Sequence, residues 1–316
     1  MQLDPVALTT LAAVVQEGTF DAAATRLRVT PSAVSQRVRA LEQSLGRVVV
    51  TRTKPVRATP AGEVLLRLAG QWEVLVGDAL TELVPDTGGT AYPRVAVVVN
   101  ADSLATWLMP ALARAQAELG VVLELVREDE EYASDLVRAG TALAAVTADP
   151  TPVPGCRLAP LGAMRYVAAC TPAFHRRWFA DGLRAEALDT APVVRFDERD
   201  RMQHRVARRW ARREVDPPAH VVGSSHGFAD AVVLGMGWGM LPVGWAAPLL
   251  EDGTLVVLGP RAEIEVPLHW LSARLSSRTL EVLTRCVTEQ AAASLAPASR
   301  GRGSAGGASG GTMGGP

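Results

Sequence analysis

Between Thr30 and Arg57 the chain collects side chains suited to contacting a nucleic acid. Thr30-Pro31 offers a capping hydroxyl followed by proline at a first helical position. From there Val34, Val38 and Leu41 recur at i, i+4 and i+7, which predicts a helix with one apolar face. The opposite face carries Ser32, Ser35, Gln36 and Arg39, with Arg37 flanking. Hydroxyls and a carboxamide suit base edges, and guanidinium groups suit phosphates. Val48-Val49-Val50-Thr51 then predicts a strand, Arg52-Thr53-Lys54-Pro55 a basic turn and Val56-Arg57-Ala58 a returning strand. Arg52, Lys54 and Arg57 would hold phosphates. A solvated helix face accounts for any one of these residues alone; their order and spacing favour a DNA-reading helix with a wing.

A second set suits a small zwitterion with an extra positive charge. Asn100, Asp102 and Ser103 lie between a predicted strand and helix. Glu128 and Asp129 end the next strand, Thr147 ends a third, Asp197 follows the strand Val193–Phe196, and Ser224-Ser225 open a helix. Helix N-termini and hydroxyls suit a carboxylate, and carboxylates suit cations. The ligand carboxylate is expected at Ser103 and Ser224-Ser225. Its distal cation is expected at Asp129, with Asp102 and Asp197 as lesser candidates. Plainer roles stay open: Asp102, Ser103, Ser224 or Ser225 as helix caps, Glu128 to Glu131 as a solvated run, and Asp197 within a surface ion-pair face.

The elements that must position these groups fall into two styles. Residues 5 to 45 predict three short helices: Leu8, Leu11 and Val15 line the first, Gly18 closes it, and Asp21 is the expected cap of the second. Thr59-Pro60 starts a long helix whose Leu65, Leu68, Trp72, Leu75, Ala79 and Leu83 alternate steps of three and four. Such a stripe needs a partner, so a homodimer is expected through Leu65, Leu68, Trp72 and Leu75. From Arg94 the chain alternates strands and helices, the α/β pattern, which places ligands at strand C-termini. The expected divisions are a winged helix-turn-helix over 1–59, a linker helix over 60–84, a hinge over 85–93, an α/β domain over 94–295 with a second half near 166–265, and a glycine-rich disordered tail over 296–316.

Bulk properties narrow the function further. The 316 residues are 48% hydrophobic with a net charge of −1, so neither disorder nor a uniformly basic surface describes the chain. That neutrality conceals a window from Thr25 to Gly70 with charge +7, against −8 elsewhere, as a basic head on an acidic body would give. No apolar run is long enough to span a membrane, the start lacks a secretory signal, and three scattered cysteines suit a reduced cytoplasm. The five histidines have no metal spacing, no nucleophile elbow or phosphate loop is present, and neither a metal nor a cofactor is expected. Enzyme chemistry therefore fares poorly. A redox sensor through Cys156 and Cys170 is a minor alternative. The eight arginines from Arg195 to Arg213 are expected on a charged outer face, because Met202, Val206 and Trp210 form the inward seam.

The head resembles that of the LysR-type transcriptional regulators. The resemblance rests on Gly18-Thr19-Phe20-Asp21-Ala22-Ala23-Ala24, Pro31-Ser32-Ala33-Val34-Ser35-Gln36-Arg37-Val38, Leu41-Glu42-Gln43-Ser44-Leu45-Gly46 and Arg57-Ala58-Thr59-Pro60-Ala61-Gly62. It implies a homodimer or tetramer on double-stranded DNA, RNA polymerase as a further partner, and an effector domain like a periplasmic binding protein. The runs Val99 to Trp107, Pro154-Gly155-Cys156, Leu161 to Tyr166 and Gly223-Ser224-Ser225 with Phe228 resemble one branch, the ArgP/LysG-like regulators of basic amino acid export. That branch has also been described as inhibiting chromosome initiation. It implies lysine or arginine as effector and an exporter gene as target; another small metabolite remains the alternative.

Overall fold

The structure is a computed structural model and describes residues 3–51, 53–83, 94–127, 130–138 and 141–297. Arg52, Glu128, Asp129, the expected hinge and nearly all of the expected tail lie outside the described residues.

The head comprises α1 (Pro5–Glu17), α2 (Phe20–Leu27), α3 (Pro31–Leu45), and a short antiparallel wing of β1 (Val50–Thr51) and β2 (Arg57–Ala58). Gly18 ends α1 and Gly46 ends α3, both in the left-handed region that glycine adopts without a Cβ penalty. The cap of α2 is Thr19, whose hydroxyl accepts from the Ala22 amide. This corrects the expectation of Asp21, which lies inside the first turn and favours the helix dipole there. Leu8, Leu11, Val14, Val34, Val38 and Leu41 are buried together.

The long helix α4 (Pro60–Leu83) belongs to two cores. Leu65, Leu66 and Ala69 pack in the head, whereas Val74 packs with the following domain. Gly62 is required by contact: a Cβ there would sit 2.0 Å from the Val49 carbonyl oxygen of the wing. The expected dimer stripe is corrected at one position. Leu65 is 6% exposed and occupied by the head's own core, while Leu68, Trp72, Leu75 and Leu83 remain exposed.

The α/β domain has two lobes that share a seven-stranded mixed sheet, and lobe two carries a further two-stranded parallel sheet, Val193–Arg195 with Ala219–Val221. Lobe one holds β3 (Arg94–Val99), α5 (Ala101–Ser103), a π turn at Leu104–Leu108, α6 (Met109–Leu119), β4 (Val122–Arg127), α7 (Glu130–Arg138) and β5 (Ala144–Thr147). The strand β6 (Cys156–Cys170) then runs into lobe two. Lobe two holds α8 (Pro172–Trp178), α9 (Ala185–Thr190), β7 (Val193–Arg195), α10 (Met202–Ala211), β8 (Ala219–Val221), α11 (Ser225–Val233), β9 (Gly239–Pro242), α12 (Val243–Glu251) and β10 (Val256–Val257). The strand β11 (Glu263–Ala273) returns to lobe one, and α13 (Arg278–Ser294) closes the domain. Parallel pairing joins β3 to β4 and β5; antiparallel pairing joins β11 to β5 and to β6.

Among the described residues, only β6 and β11 run through both lobes, paired from Glu263 with Val167 to Ala273 with Cys156. Their register breaks between Leu268 and His269, beside Gly162 at φ 132°. There Ala163 exchanges two backbone hydrogen bonds with Ala296 at 2.8 and 3.1 Å. The domain therefore extends through Ala296, one residue into the segment expected to be tail, because that backbone is paired.

A cavity of about 550 Å³ separates the head from lobe one. Glu73 of α4 lines it with Arg26, Arg94 and Glu124. Glu73 is exposed as a residue, but the cavity walls around its carboxyl desolvate it and push it above the ordinary range, and the nearby Arg26 charge offsets only part of this.

Candidate DNA interface and effector cleft

The helix α3 starts where Thr30 accepts from the Ala33 amide and shares a 3.0 Å hydrogen bond with Ser32. Val34 and Val38 are completely buried and Leu41 nearly so. Apolar anchoring on that side leaves Ser32, Gln36 and Arg39 exposed and Ser35 and Arg37 half-buried. Lys54 and Arg57 stand exposed on the wing. The wing is fixed to the helices: Val56 N–H donates to the Gly18 carbonyl at 2.8 Å, and the Glu42 carboxylate accepts from Val49 N–H at 2.9 Å. The structure thus places Ser32, Ser35, Gln36, Arg37 and Arg39 on α3 with Thr30 as its cap, and Lys54 and Arg57 on the wing that is tied to that helix through Glu42.

The second site is a cleft of about 650 Å³ between the lobes, within the range of small-molecule sites. The start of α5 supplies one wall. Asn100 caps it, accepting from the Ser103 amide at 3.1 Å. This corrects the expectation of Ser103 or Asp102 as cap and frees the Asp102 carboxylate for other partners. Tyr166 of β6 donates its hydroxyl to Asp102 Oδ2 at 2.8 Å. Ser225 of α11 donates to Asp102 Oδ1 at 2.7 Å. Both donors are buried and Asp102 is half-buried, and its carboxylate ties the two lobes together.

Of the other expected ligand contacts, Thr147, Asp197, Ser224 and Ser225 are already engaged within the fold, whereas the Ser103 hydroxyl has no hydrogen-bond partner among the described residues. Ser103 is fully buried and does not line the cleft. Ser224 caps α11 by accepting from Gly227 N–H, and the Ser225 hydroxyl is committed to Asp102. Thr147 is buried and accepts from Asp149 N–H at 3.0 Å. Asp197 lines the cleft, but its Oδ1 accepts from the Arg199 and Asp200 amides at 2.7 and 2.9 Å. Asp200 behaves likewise, accepting from Phe196 and Met202 amides and from the Gln203 side chain.

The cleft is also lined by exposed residues that sequence reasoning assigned elsewhere. Arg127 from lobe one faces Arg199, Arg201 and Arg205 from lobe two, all exposed. The outer-face account of the arginine run suits Arg208, paired with Glu214 at 3.0 Å, and Arg213, paired with Asp189 at 2.6 Å. It misses Arg201 and Arg205. Their spacing of four, with Arg201 at the cap and Arg205 in the first turns of a helix, is the signal that could have found them.

The thiols do not support redox chemistry. All three cysteines are buried. Burial pushes Cys156 up and Cys170 up to about 12, so neither is a ready thiolate. They occupy opposite ends of the fifteen-residue β6, on the order of 45 Å apart at strand rise, far beyond disulfide reach. Among the described residues, no group of three or more His, Cys, Asp or Glu is placed to hold a metal, and no helix is long and apolar enough to cross a membrane.

A winged reading helix joined through a long helix to a two-lobed α/β domain with a charged cleft defines a helix-turn-helix regulator with an effector-binding module. Residues 6–63 match the model of the bacterial regulatory helix-turn-helix protein, lysR family, and residues 90–292 match that of the LysR substrate binding domain. The chain belongs to the LysR family. It is 44% identical over 290 residues to the HTH-type transcriptional regulator LysG of Mycobacterium tuberculosis H37Rv, covering 90% of this chain and 93% of that one. It is 39% identical over 302 residues to the lysine export transcriptional regulatory protein LysG of Corynebacterium glutamicum, covering 93% and 100%. Full-length LysG from Corynebacterium glutamicum with bound effector Arg superposes with a TM-score of 0.75 at 37% identity, covering 93% and 100%.

Proposed function

We propose that this protein is a DNA-binding transcriptional regulator that senses lysine or arginine and controls, as an activator, a gene for an amino-acid exporter. The observation that carries this is the near full-length likeness to a LysG whose structure holds arginine as effector. The cleft supports it chemically: carboxylates and guanidinium groups on its walls suit a zwitterion with a second cation. No catalytic step belongs to this reading. The protein works in the cytoplasm as a homodimer through the exposed Leu68, Trp72 and Leu75, with RNA polymerase as its downstream partner. Ser32, Ser35, Gln36, Arg37 and Arg39 read the operator, while Arg52, Lys54 and Arg57 hold phosphates.

Thermal-shift screening of the purified protein against all common amino acids tests the effector. A ligand at a hundred times its Kd stabilises the folded state by about 2.7 kcal/mol. Lysine or arginine should raise the melting temperature, and neutral and acidic amino acids should not. A response confined to a neutral or acidic amino acid, or no response to any, overturns the assignment of basic amino acids.

A further inference from the structure

The three helices of the head end in the same backbone conformation but not in the same residue. Gly18 closes α1, Arg28 closes α2 and Gly46 closes α3, with φ of 69°, 55° and 64°. All three lie in the left-handed region, which glycine enters freely and a residue with a Cβ enters at a cost. Backbone bonds hold Arg28 there: its N–H donates to the Ala24 and Thr25 carbonyls, and Val29 N–H donates to the Ala24 carbonyl at 3.0 Å. These bonds use no side-chain atom, so glycine would make them equally well.

The Arg28 side chain is exposed and has no hydrogen bond or ion pair among the described residues. Arg26, two residues earlier, differs: it donates to Gln16 at 2.6 Å and pairs with Glu17 at 3.2 Å, which ties α2 to α1. The left-handed conformation alone is not a role, since Arg212 and Arg261 of the effector domain share it. Placement distinguishes Arg28, which lies in the turn between α2 and α3, just ahead of the Thr30 cap and Pro31. Resting on the proposed DNA-reading role of α3, we infer that Arg28 is a further DNA-contacting residue, which holds a backbone phosphate at the edge of the groove that α3 enters.

Reach and availability carry the assignment. A reading helix puts its N-terminal residues against base edges. The chain from Arg28 to Pro31 spans at most about 11 Å, and the major groove is about 12 Å wide. A guanidinium tethered that close to the helix start reaches the phosphates that border the groove. Its paired N–H donors match phosphate oxygens. Arg28 can make this contact without giving up a partner inside the protein, whereas Arg26 would have to release Glu17. The contact carries no sequence information; it fixes where α3 sits along the duplex, from the turn, as Lys54 and Arg57 do from the wing. The side chain thereby accounts for an arginine at a position whose backbone favours glycine.

Binding of the full-length protein to a DNA duplex of mixed sequence, titrated at several salt concentrations, tests this. Arg28→Gly removes the side chain and relieves the backbone, so its melting temperature should be no lower than that of the wild type. Its affinity should fall about 10-fold, the worth of a charged hydrogen bond. The slope of log affinity against log salt should shrink by about 0.9, the value for one phosphate. Arg28→Asn, which also tolerates the left-handed region, should match it and keeps the test decisive where the glycine variant does not fold. Arg28→Lys keeps a point charge and should keep the slope. Arg212→Gly makes the same change at an exposed arginine with φ 56° in the effector domain and should leave affinity and slope unchanged. An unchanged slope in Arg28→Gly and Arg28→Asn, or an equal loss in Arg212→Gly, overturns the phosphate contact while leaving DNA binding standing. A wild type that binds no duplex overturns the DNA-reading role of α3, and this contact with it.

Discussion

Asp78, near the end of the long helix α4, accepts hydrogen bonds from both the Ser277 hydroxyl at 2.6 Å and the Thr279 hydroxyl at 2.5 Å, across 199 and 201 residues of chain. Ser277 also caps α13, accepting from Leu280 N–H. One carboxylate therefore ties the linker helix to the start of the last helix of the effector domain. Asp78→Ala leaves two nearly buried hydroxyls without this partner and should cost about 1–3 kcal/mol. Urea unfolding followed by tryptophan fluorescence checks this; an unchanged midpoint would show that the contact contributes nothing.

The head makes separable predictions for specificity and for charge. Gln36→Ala should reduce discrimination between operator and random DNA by about 1–3 kcal/mol, the worth of a bidentate base contact. Arg52→Ala or Arg57→Ala should weaken binding to all sequences and lower the salt slope by about one. Titrations at several salt concentrations distinguish the two. Preserved specificity in the glutamine variant reduces that residue to a backbone contact, and unchanged slopes in both arginine variants remove the wing from the interface.

Trp72 is 45% exposed on a stripe with Leu68 and Leu75. Exposed apolar surface of this kind on a helix is normally covered by another subunit. The wild type should scatter light as a dimer or a larger assembly at micromolar concentration, and Trp72→Asp should shift the mass towards the monomer. A monomeric wild type would refute the stripe as an interface.

Glu73 gives a pH signature. Its carboxyl titrates above the ordinary 4.5 in the folded chain because it is desolvated. The folded state holds that proton more firmly than the unfolded state. The associated stability is present below 4.5 and is lost as pH rises through the raised folded value. Glu73→Gln should therefore stabilise the protein at neutral pH, and the gain should shrink as pH falls towards 4.5. Unfolding midpoints of both proteins at two pH values measure it; a gain independent of pH would assign the effect to packing.

Local signals made the head legible. Thr30, Gly18 and Gly46 set helix ends from within a few residues, and Val34, Val38 and Leu41 set the buried face of α3. Nothing local marked the role of Asp102, whose partners lie 64 and 123 residues away. The length of β6 was hidden because Pro160 and Gly162 interrupt its pattern, although both are accommodated within the pairing to β11. Leu65 fitted the dimer stripe by spacing, yet the apolar side it shares with Leu66 and Ala69 is claimed by the head. Periodicity reports that a face is covered; it does not report by what.

The two strands that run unbroken through both lobes act as a spine. A paired strand does not stretch, so the lobes turn about β6 and β11 as pages turn about a binding, and cannot slide apart. The irregular step at Gly162 and Leu268–His269 is the place where that spine can bend, and the Ala163–Ala296 pair holds it from outside. The two strands therefore set one line along which the lobes are joined. Whatever fills the space between the lobes touches two bodies that share that one line, so a change on either wall is a change measured against the same spine.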